Sequence, residues 1–167
     1  MAQDDTRIDP PRVAGDIDQI NGFLDYLRGS VVLKAAGLSE EDARRSVLPS
    51  PLMTVSGLLA HLRWVEAYWF GTVLDGRPDL APYTDEDPDA EFRGAVEIPL
   101  RKLVDDYTAQ CADSRAVIAG IGLDTVVPFR GEEVNARWVL LHMIEETGRH
   151  AGHLDVIREL LDGTTGE

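Results

Sequence analysis

The 167-residue sequence has little of several features that define common protein classes. It holds a single cysteine, Cys111, so no disulfide can form within the chain. No run of eighteen apolar residues occurs, which argues against a membrane-spanning helix. Residues 1–11 are acidic and lack the basic and apolar regions of a signal peptide. These absences lead us to expect a soluble, cytoplasmic protein in which Cys111 is a buried, inert core thiol.

Positive charge is also scarce in this chain. Lysine and arginine together number 16 against 30 acidic residues, and the only lysines are Lys34 and Lys102. The formal net charge of −14 is the opposite of the basic footprint that nucleic-acid binding requires. We therefore predict that neither nucleic acid nor a membrane is a partner.

Apolar residues recur at three- and four-residue intervals in four segments, which is the pattern of amphipathic helices. The inner faces are marked by Ile17, Ile20, Leu24, Leu27 and Val31; by Leu58, Leu59, Leu62, Val65, Trp69 and Val73; by Leu100, Leu103, Tyr107, Cys111, Ile118 and Ile121; and by Val139, Met143, Ile157 and Leu161. The sequence predicts an all-α four-helix bundle formed by residues 12–167 as one domain, with residues 1–11 as a loose tail.

The segments between these helices are punctuated by proline and glycine. Thr54 and Asn135 are placed to cap the second and fourth long helices. We expect the third long helix to start near Val96, and residues 123–134 to form an extended loop. Residues 75–95, rich in proline and aspartate, are a long crossover connection that either covers a site or only links two helices.

The apolar stripe of the last helix is interrupted at three positions where its rhythm requires apolar residues. Glu146, His150 and His153 stand there, and burying such groups without partners costs several kcal/mol. Glu146 and His150 are four residues apart, so their Cβ atoms lie about 6 Å apart on one helix face. That spacing suits two ligands of one metal ion. His61 falls at the edge of the inner face of the second long helix and offers a third ligand.

Simpler interpretations exist for each of these residues. Glu146 can form a structural ion pair with Arg149 or His150, and a lone histidine such as His61 is more often packed than metal-bound. Taken together, however, His61, Glu146 and His150 supply two imidazoles and one carboxylate. Such a set leaves coordination positions open, as catalytic sites do. We predict a divalent metal, with Zn²⁺ the best match and Fe(II) or Ni²⁺ as alternatives.

Other residues near the same helix faces have supporting roles in this interpretation. His142 stands about 12 Å along the helix axis from His150, so we predict that it is partly exposed or supports the ligands without binding the ion. His153 is a hydrogen-bonded core histidine, a support for a ligand, an extra ligand or a catalytic proton relay. Trp64, Tyr68 and Met143 are predicted to line the pocket.

Two motifs carry a resemblance that covers nearly the whole chain after residue 14. They are His61-Leu-Arg-Trp-Val-Glu66, and Arg137-Trp-Val-Leu-Leu-His-Met-Ile-Glu-Glu146 continued by Thr-Gly-Arg-His150-Ala-Gly-His153. The sequence resembles the DinB-like superfamily of metal-binding four-helix bundles. That superfamily includes the mycothiol-dependent maleylpyruvate isomerases and other bacterial thiol S-transferases, and the similarity is greatest to its mini-circle-protein branch. His153 stands where many relatives carry glutamine.

The resemblance implies a metal-dependent S-transferase or isomerase that joins a small thiol, of the mycothiol type, to small electrophiles. It also implies a homodimer, and it matches Glu146 to the middle ligand of the maleylpyruvate isomerases, whose C-terminal domain is absent here. Two alternatives remain open at this point. One is a metal-dependent hydrolase that uses the same three ligands. The other is a non-catalytic stress protein that binds a metal or a small ligand.

Overall fold

The computed structural model describes residue 5 and residues 7–166, and helix accounts for 62% of the structure, which confirms the predicted helical class. The elements are α1 (Asp16–Ala35), α2 (Glu40–Arg44), α3 (Val55–Glu66), α4 (Ala90–Gly94), α5 (Leu100–Ala119), β1 (Val126–Phe129), β2 (Glu132–Asn135) and α6 (Ala136–Asp162). A π-helical segment, Ala67–Leu74, continues α3 directly, and a 3₁₀ turn, Ala95–Glu97, follows α4.

The helix ends follow from local capping chemistry. The Thr54 side chain accepts a hydrogen bond from the backbone N–H of Gly57 at the start of α3. The Asn135 side chain accepts one from the N–H of Trp138 at the start of α6. Both predicted caps are therefore confirmed. At the other end of α6 the chain turns at Gly163, whose φ of +76° is a left-handed conformation that glycine adopts without a steric penalty.

Helices α1 and α6 pack along each other, as do α3 and α5, and the two pairs meet where α3 contacts α6 and α1 contacts α5. Two apolar clusters fill the interior, and they confirm the predicted inner faces. The first includes Val31, Leu58, Leu59, Leu62, Leu103, Cys111, Leu154 and Ile157. The second includes Leu24, Phe70, Ile118, Val139, Leu140 and Met143.

Each long helix contributes buried polar side chains between the two clusters. The least exposed of them are Arg28 on α1, Glu66 on α3, Ser114 on α5 and Thr147 on α6, each at most 4% exposed. In every one of these helices the polar residue lies, in sequence, between a member of the first cluster and a member of the second. The core is therefore divided by a polar layer at the level where α6 carries Glu146 and His150.

Residues 126–135 form a β-hairpin, which corrects the predicted extended loop and makes the fold mostly, but not entirely, helical. Strands β1 and β2 are antiparallel, with Phe129 opposite Glu132. The two residues between them, Arg130 and Gly131, have φ values of 52° and 86°. Positive φ at both central positions is the requirement of the tight two-residue turn that matches strand twist.

The connection between α3 and α5 also contains more structure than the sequence predicted. It includes α4 and the 3₁₀ turn, and α5 begins at Leu100 rather than near Val96. Helix α4 lies against α3 where Gly57 leaves room for the ring of Phe92. A Cβ atom built on Gly57 would lie 3.1 Å from a ring carbon of Phe92 and 2.6 Å from a backbone oxygen.

The described part of the predicted tail lies against α1. Arg7 donates a hydrogen bond to the Ser30 hydroxyl, and Pro11 approaches Gly22 so closely that a Cβ there would be 2.7 Å away. Residues 1–4 and 6 lie outside the described residues, so the boundary between tail and domain stays a prediction. Within the described chain, no helix is both long and apolar enough to cross a membrane.

Candidate metal centre

The three predicted ligands come together between α3 and α6. Nε2 of His61 lies 3.3 Å from Oε1 of Glu146, and Nε2 of His150 lies 3.1 Å from the same oxygen. One nitrogen or oxygen from each side chain falls within 4.8 Å of the others. Two ligands on one turn of α6 and a third from the neighbouring helix produce this convergence.

Two of the three distances between these atoms match the spacing of ligand atoms in a tetrahedral zinc site. Ligand atoms about 2.0–2.1 Å from Zn²⁺ and separated by the tetrahedral angle lie about 3.3 Å apart. The two distances that end on Glu146 Oε1 are 3.3 and 3.1 Å. Two imidazoles and one carboxylate also leave a fourth position for water or substrate, which distinguishes this donor set from a closed structural site.

The charge of Glu146 suits a ligand. Hydrogen bonds from His150 and then His61 hold the pKa of the Glu146 carboxyl well below its usual range, so it stays ionised. Without a cation, each imidazole Nε2 must carry a hydrogen to satisfy this shared oxygen. The second oxygen, Oε2, lies 3.6 Å from a guanidinium nitrogen of Arg149, which also pairs with Glu145. The predicted ion pairs of Glu146 therefore exist alongside the convergent geometry.

His61 has two neighbours on α4 that the sequence did not predict. Its Nδ1 lies 3.2 Å from Oε1 of Glu91, a carboxylate whose side chain is only 6% exposed. Its ring stacks on Phe92 with 4.7 Å between centroids and an angle of 20°. The only sequence signal for these contacts was the unusual length of the connection, because residues 75–95 carry no periodicity from which the position of Glu91 could be inferred.

His153 contacts the ligand His150 rather than the convergence point. The Nδ1 atoms of the two rings are 3.3 Å apart, so one nitrogen donates a hydrogen bond to the other. Burial, followed by the charges of His150 and Arg149, lowers the pKa of His153. The lowered pKa favours the neutral form of this ring. Its catalytic role stays a prediction.

His142 lies among aromatic rings further toward the start of α6. It stacks on Trp138 with 5.2 Å between centroids and meets Trp69 edge-on at 4.8 Å. Together with its separation from His150 along the helix, these contacts describe an aromatic packing role. The predicted support of the ligands by His142 stays a prediction.

The three residues predicted to line a pocket have different surroundings. Trp64 is half-buried beneath the guanidinium of Arg63, 3.4 Å from the ring centroid. The half-buried Tyr68 lies edge-on to Trp69. Met143 has no exposed surface and belongs to the second apolar cluster. Their assignment to a substrate pocket stays a prediction.

The connection before α4 also approaches this region through Tyr83. Burial and a hydrogen bond with Asp79 raise the pKa of Tyr83 to about 12, with further contributions from the nearby Tyr68 and Glu91. Residues of this connection therefore lie beside the support of His61. That observation favours a covering role over that of a simple link between helices.

Fold and site together define a class: a helical protein whose core presents two imidazoles and a carboxylate that could hold a metal ion with open positions. A family model described as mycothiol-S-transferase matches residues 19–163. The chain belongs to this mycothiol S-transferase family, which lies within the DinB-like superfamily, so the resemblance seen in the sequence is confirmed. Among curated proteins, none matches the chain significantly.

Proposed function

We propose that this protein is a divalent-metal-dependent S-transferase that joins mycothiol to a small electrophile. The observation that carries the proposal is the convergence of His61 Nε2, His150 Nε2 and Glu146 Oε1, found in a member of the mycothiol S-transferase family. The donor set favours Zn²⁺, with Ni²⁺ and Fe(II) as alternatives. A divalent cation bound there would supply the positive charge that lowers the pKa of a thiol at the open position.

In this proposal the three ligands fix the geometry, and neighbouring residues handle the proton and the substrate. The thiol proton passes to the neutral ring of His153, and the sulfur forms a bond to an electrophilic carbon. With a halide substrate the halide leaves with its bonding electrons. With an epoxide the C–O bond breaks, and the alkoxide takes back the proton from His153. An unsaturated acid, the isomerase substrate class, gains the sulfur and the proton across its double bond.

Side chains around the centre are assigned the remaining tasks. Trp64, Tyr68 and Met143 are proposed to form the apolar wall that receives the electrophile. Arg149 is half-exposed next to Glu146 and is proposed to hold an anionic group of thiol or substrate. Arg137, a second candidate for that task, pairs with Asp16 and Asp124 at the surface, which accounts for its charge without a substrate.

The test uses cobalt-substituted protein with mycothiol as the probe thiol. We expect added mycothiol to produce a sulfur-to-cobalt charge-transfer band in the near ultraviolet, with a pH midpoint well below the free thiol pKa of about 8.5. The band should be absent in His61→Ala and present in the matched control His142→Ala. A cobalt spectrum unchanged by mycothiol would reject direct activation of the thiol.

Activity is then measured by conjugation of mycothiol to a halide electrophile, with glutathione and cysteine as comparison thiols. Selective, metal-dependent conjugation of mycothiol supports the transferase. Metal-dependent ester or amide hydrolysis without conjugation would favour the hydrolase, in which water takes the place of the thiol. A centre with four protein ligands and neither activity would favour the binding protein.

Three further features belong to the same proposal. The pairwise packing of α1 with α6 and α3 with α5 supports a four-helix bundle in which residues 75–95 cross between helices. A homodimer is proposed from the family resemblance. A cytoplasmic location without nucleic-acid or membrane partners is proposed from the composition and the net charge of −14.

A further inference from the structure

The ring of His61 is held on three sides. Nε2 faces Glu146, one face of the ring stacks on Phe92, and Nδ1 meets the carboxylate of Glu91. Two of these three contacts come from consecutive residues of α4. This short helix lies in the connection between α3 and α5, outside the elements that carry the ligands.

Glu91 is a buried carboxylate, and His61 is its hydrogen-bond partner among the described residues. Its side chain is 6% exposed, and its second oxygen, Oε2, is fully buried without a hydrogen-bond partner among the described residues. A buried carboxylate in this state costs several kcal/mol unless the pairing of its other oxygen compensates. Such a residue on a short helix is more costly than a neutral or apolar one, so a role at His61 explains its presence better than packing does.

The chemistry of the contact determines which nitrogen of His61 is free. Carboxylates accept hydrogen bonds on both sides of this ring, from Nδ1 at Glu91 and, without a cation, from Nε2 at Glu146. Once a cation occupies the centre, Nε2 would be its ligand, and the hydrogen of the neutral ring would be on Nδ1, where Glu91 accepts it. A neutral imidazole with its hydrogen on Nδ1 presents a lone pair at Nε2. Nε2 is the atom that faces Glu146 and the convergence point. Glu91 therefore stabilises the ring form that can act as a ligand.

The structure assigns to Glu91 a positioning role: it holds His61 in the Nδ1-protonated form and aims Nε2 at the metal centre. This inference rests on the proposed metal site and adds a residue to it. A carboxylate behind a metal-binding histidine also raises the basicity of the ring and fixes its orientation. The other histidine, His150, is supported by the imidazole of His153 instead, so the two ligands have partners of different charge.

The placement of α4 explains how a residue in an aperiodic connection reaches the site. Phe92 fits against Gly57 on α3, one helical turn before His61, where a larger side chain would collide with it. Ala95, directly after α4, is fully buried in the first apolar cluster. These two contacts hold α4 and the turn that follows it against α3, next to the Glu91–His61 pair.

The experiment compares wild type with Glu91→Gln and with Glu97→Gln. Both variants lose one negative charge from neighbouring positions, but Glu97 is exposed, so the second variant controls for net charge. Cobalt affinity is measured by competition with a chromophoric chelator. We expect Glu91→Gln to bind cobalt about 10–100-fold more weakly and with shifted visible bands, while Glu97→Gln matches wild type.

A second measurement does not depend on metal binding. In metal-free protein that carries Glu146→Ala, no second carboxylate competes for the ring hydrogen of His61. ¹⁵N NMR of the histidine rings at about pH 8.5, above the ordinary histidine pKa of about 6.5, then reports which nitrogen carries that hydrogen. We expect His61 to be protonated at Nδ1 in this background and to become a mixture of both ring forms when Glu91→Gln is added. Phe92→Leu removes the stacking partner while keeping Glu91, and we expect it to leave the ring form unchanged.

The outcomes separate this inference from the proposed function. If wild type binds no cobalt, the metal site is wrong, and the ring form of His61 still decides the role of Glu91. If wild type binds cobalt and Glu91→Gln matches it in affinity, visible bands and ring form, the metal site stands and the positioning role is overturned. A loss of affinity with an unchanged ring form would also overturn it, because Glu91 would then act only through the stability of α4.

Discussion

Arg28 on α1 and Glu66 on α3 form a two-point ion pair across the middle of the core. Nε of Arg28 lies 2.7 Å from Oε1 of Glu66, and Nη2 lies 2.6 Å from Oε2. The Glu66 side chain has no exposed surface and that of Arg28 is 5% exposed. Burial disfavours the Arg28 cation, but the charge of Glu66 and its hydrogen bonds outweigh this and raise the pKa of Arg28.

The first prediction concerns the stability that depends on this pair. Glu66→Met and Arg28→Met should each lower the free energy of unfolding by about 3–5 kcal/mol, because each leaves one buried charge without its partner. The double variant should recover most of that loss, since two apolar side chains of similar length replace both charges. Urea unfolding followed by circular dichroism measures all four proteins. Additive losses in the double variant would show that the two residues act independently.

The second prediction concerns the ligands. His61→Ala, Glu146→Ala and His150→Ala should each lose the bound metal while the helical content stays near that of wild type. His142→Ala is the matched control, since it removes an imidazole from the same helix as His150 but one that packs on Trp138. Elemental analysis of proteins loaded with Zn²⁺ and desalted gives the metal content. A full equivalent of metal in all three alanine variants would exclude the site.

Much of the fold was predictable because long helices repeat their pattern many times. The stripe of α6 was informative for the site as well: charged residues at Glu146 and His150 break an apolar rhythm, and their four-residue spacing requires that they share a face. The same rule accounts for the stacking of His142 on Trp138, also four residues apart.

The missed features depend on contacts between distant segments or on very short ones. Glu91 lies in a stretch without periodicity, and it reaches His61 because Phe92 fits at Gly57. The pairing of Arg28 with Glu66 spans 38 residues and needs the packed helices to form it. The first strand of the hairpin is a four-residue apolar run that contains a proline, and such short runs do not distinguish a strand from a loop.

The third prediction concerns assembly. Helix α6 exposes Trp138, Leu141, Val156 and Leu160, each about half accessible. At 3.6 residues per turn these four residues fall within an arc of about 100° on one side of the helix. The exposed ion pair of Glu145 and Arg149 falls in the same arc, between the two apolar ends of this stripe. The apolar ends support the proposed side-by-side homodimer. Sedimentation equilibrium at micromolar protein should give twice the chain mass of 18.4 kDa.

Two variants sharpen this test. Leu141→Glu places a charge within the stripe and should shift the equilibrium toward the monomer. Leu80→Glu is the control, because Leu80 is 76% exposed in the connection and lies outside α6. Dimers of equal strength in both variants would place the interface elsewhere, and a wild-type species of 18.4 kDa would exclude the dimer at that concentration.

The last prediction concerns Cys111 and alkaline pH. The thiol is 2% exposed, which confirms the predicted core position, and burial, followed by the charge of Glu66, raises its pKa to about 12 from an ordinary value of 9.0. The raised pKa means that the folded protein keeps the proton after the unfolded chain has lost it. The contribution of the Cys111 thiol to the free energy of unfolding is fully present below pH 9. It falls by about 1.4 kcal/mol per pH unit between the pKa of the unfolded chain and the raised pKa of the folded protein.

Thermal unfolding of wild type and Cys111→Ser between about pH 8 and pH 11 measures this effect. Tyr83 contributes in the same direction in both proteins. Burial and then the charge of Cys111 raise the pKa of Tyr107, so the difference in slope measures the cysteine together with its effect on Tyr107. Above pH 9 we expect the free energy of unfolding of the serine variant to fall less steeply with pH than that of wild type. The difference in slope should correspond to about one proton. This comparison of slopes does not depend on how stable the variant is at pH 8. Equal slopes would mean that the Cys111 thiol ionises as readily in the folded protein as in the unfolded chain. Rapid alkylation of the native protein at pH 8 would lead to the same conclusion, because the thiolate is the species that reacts.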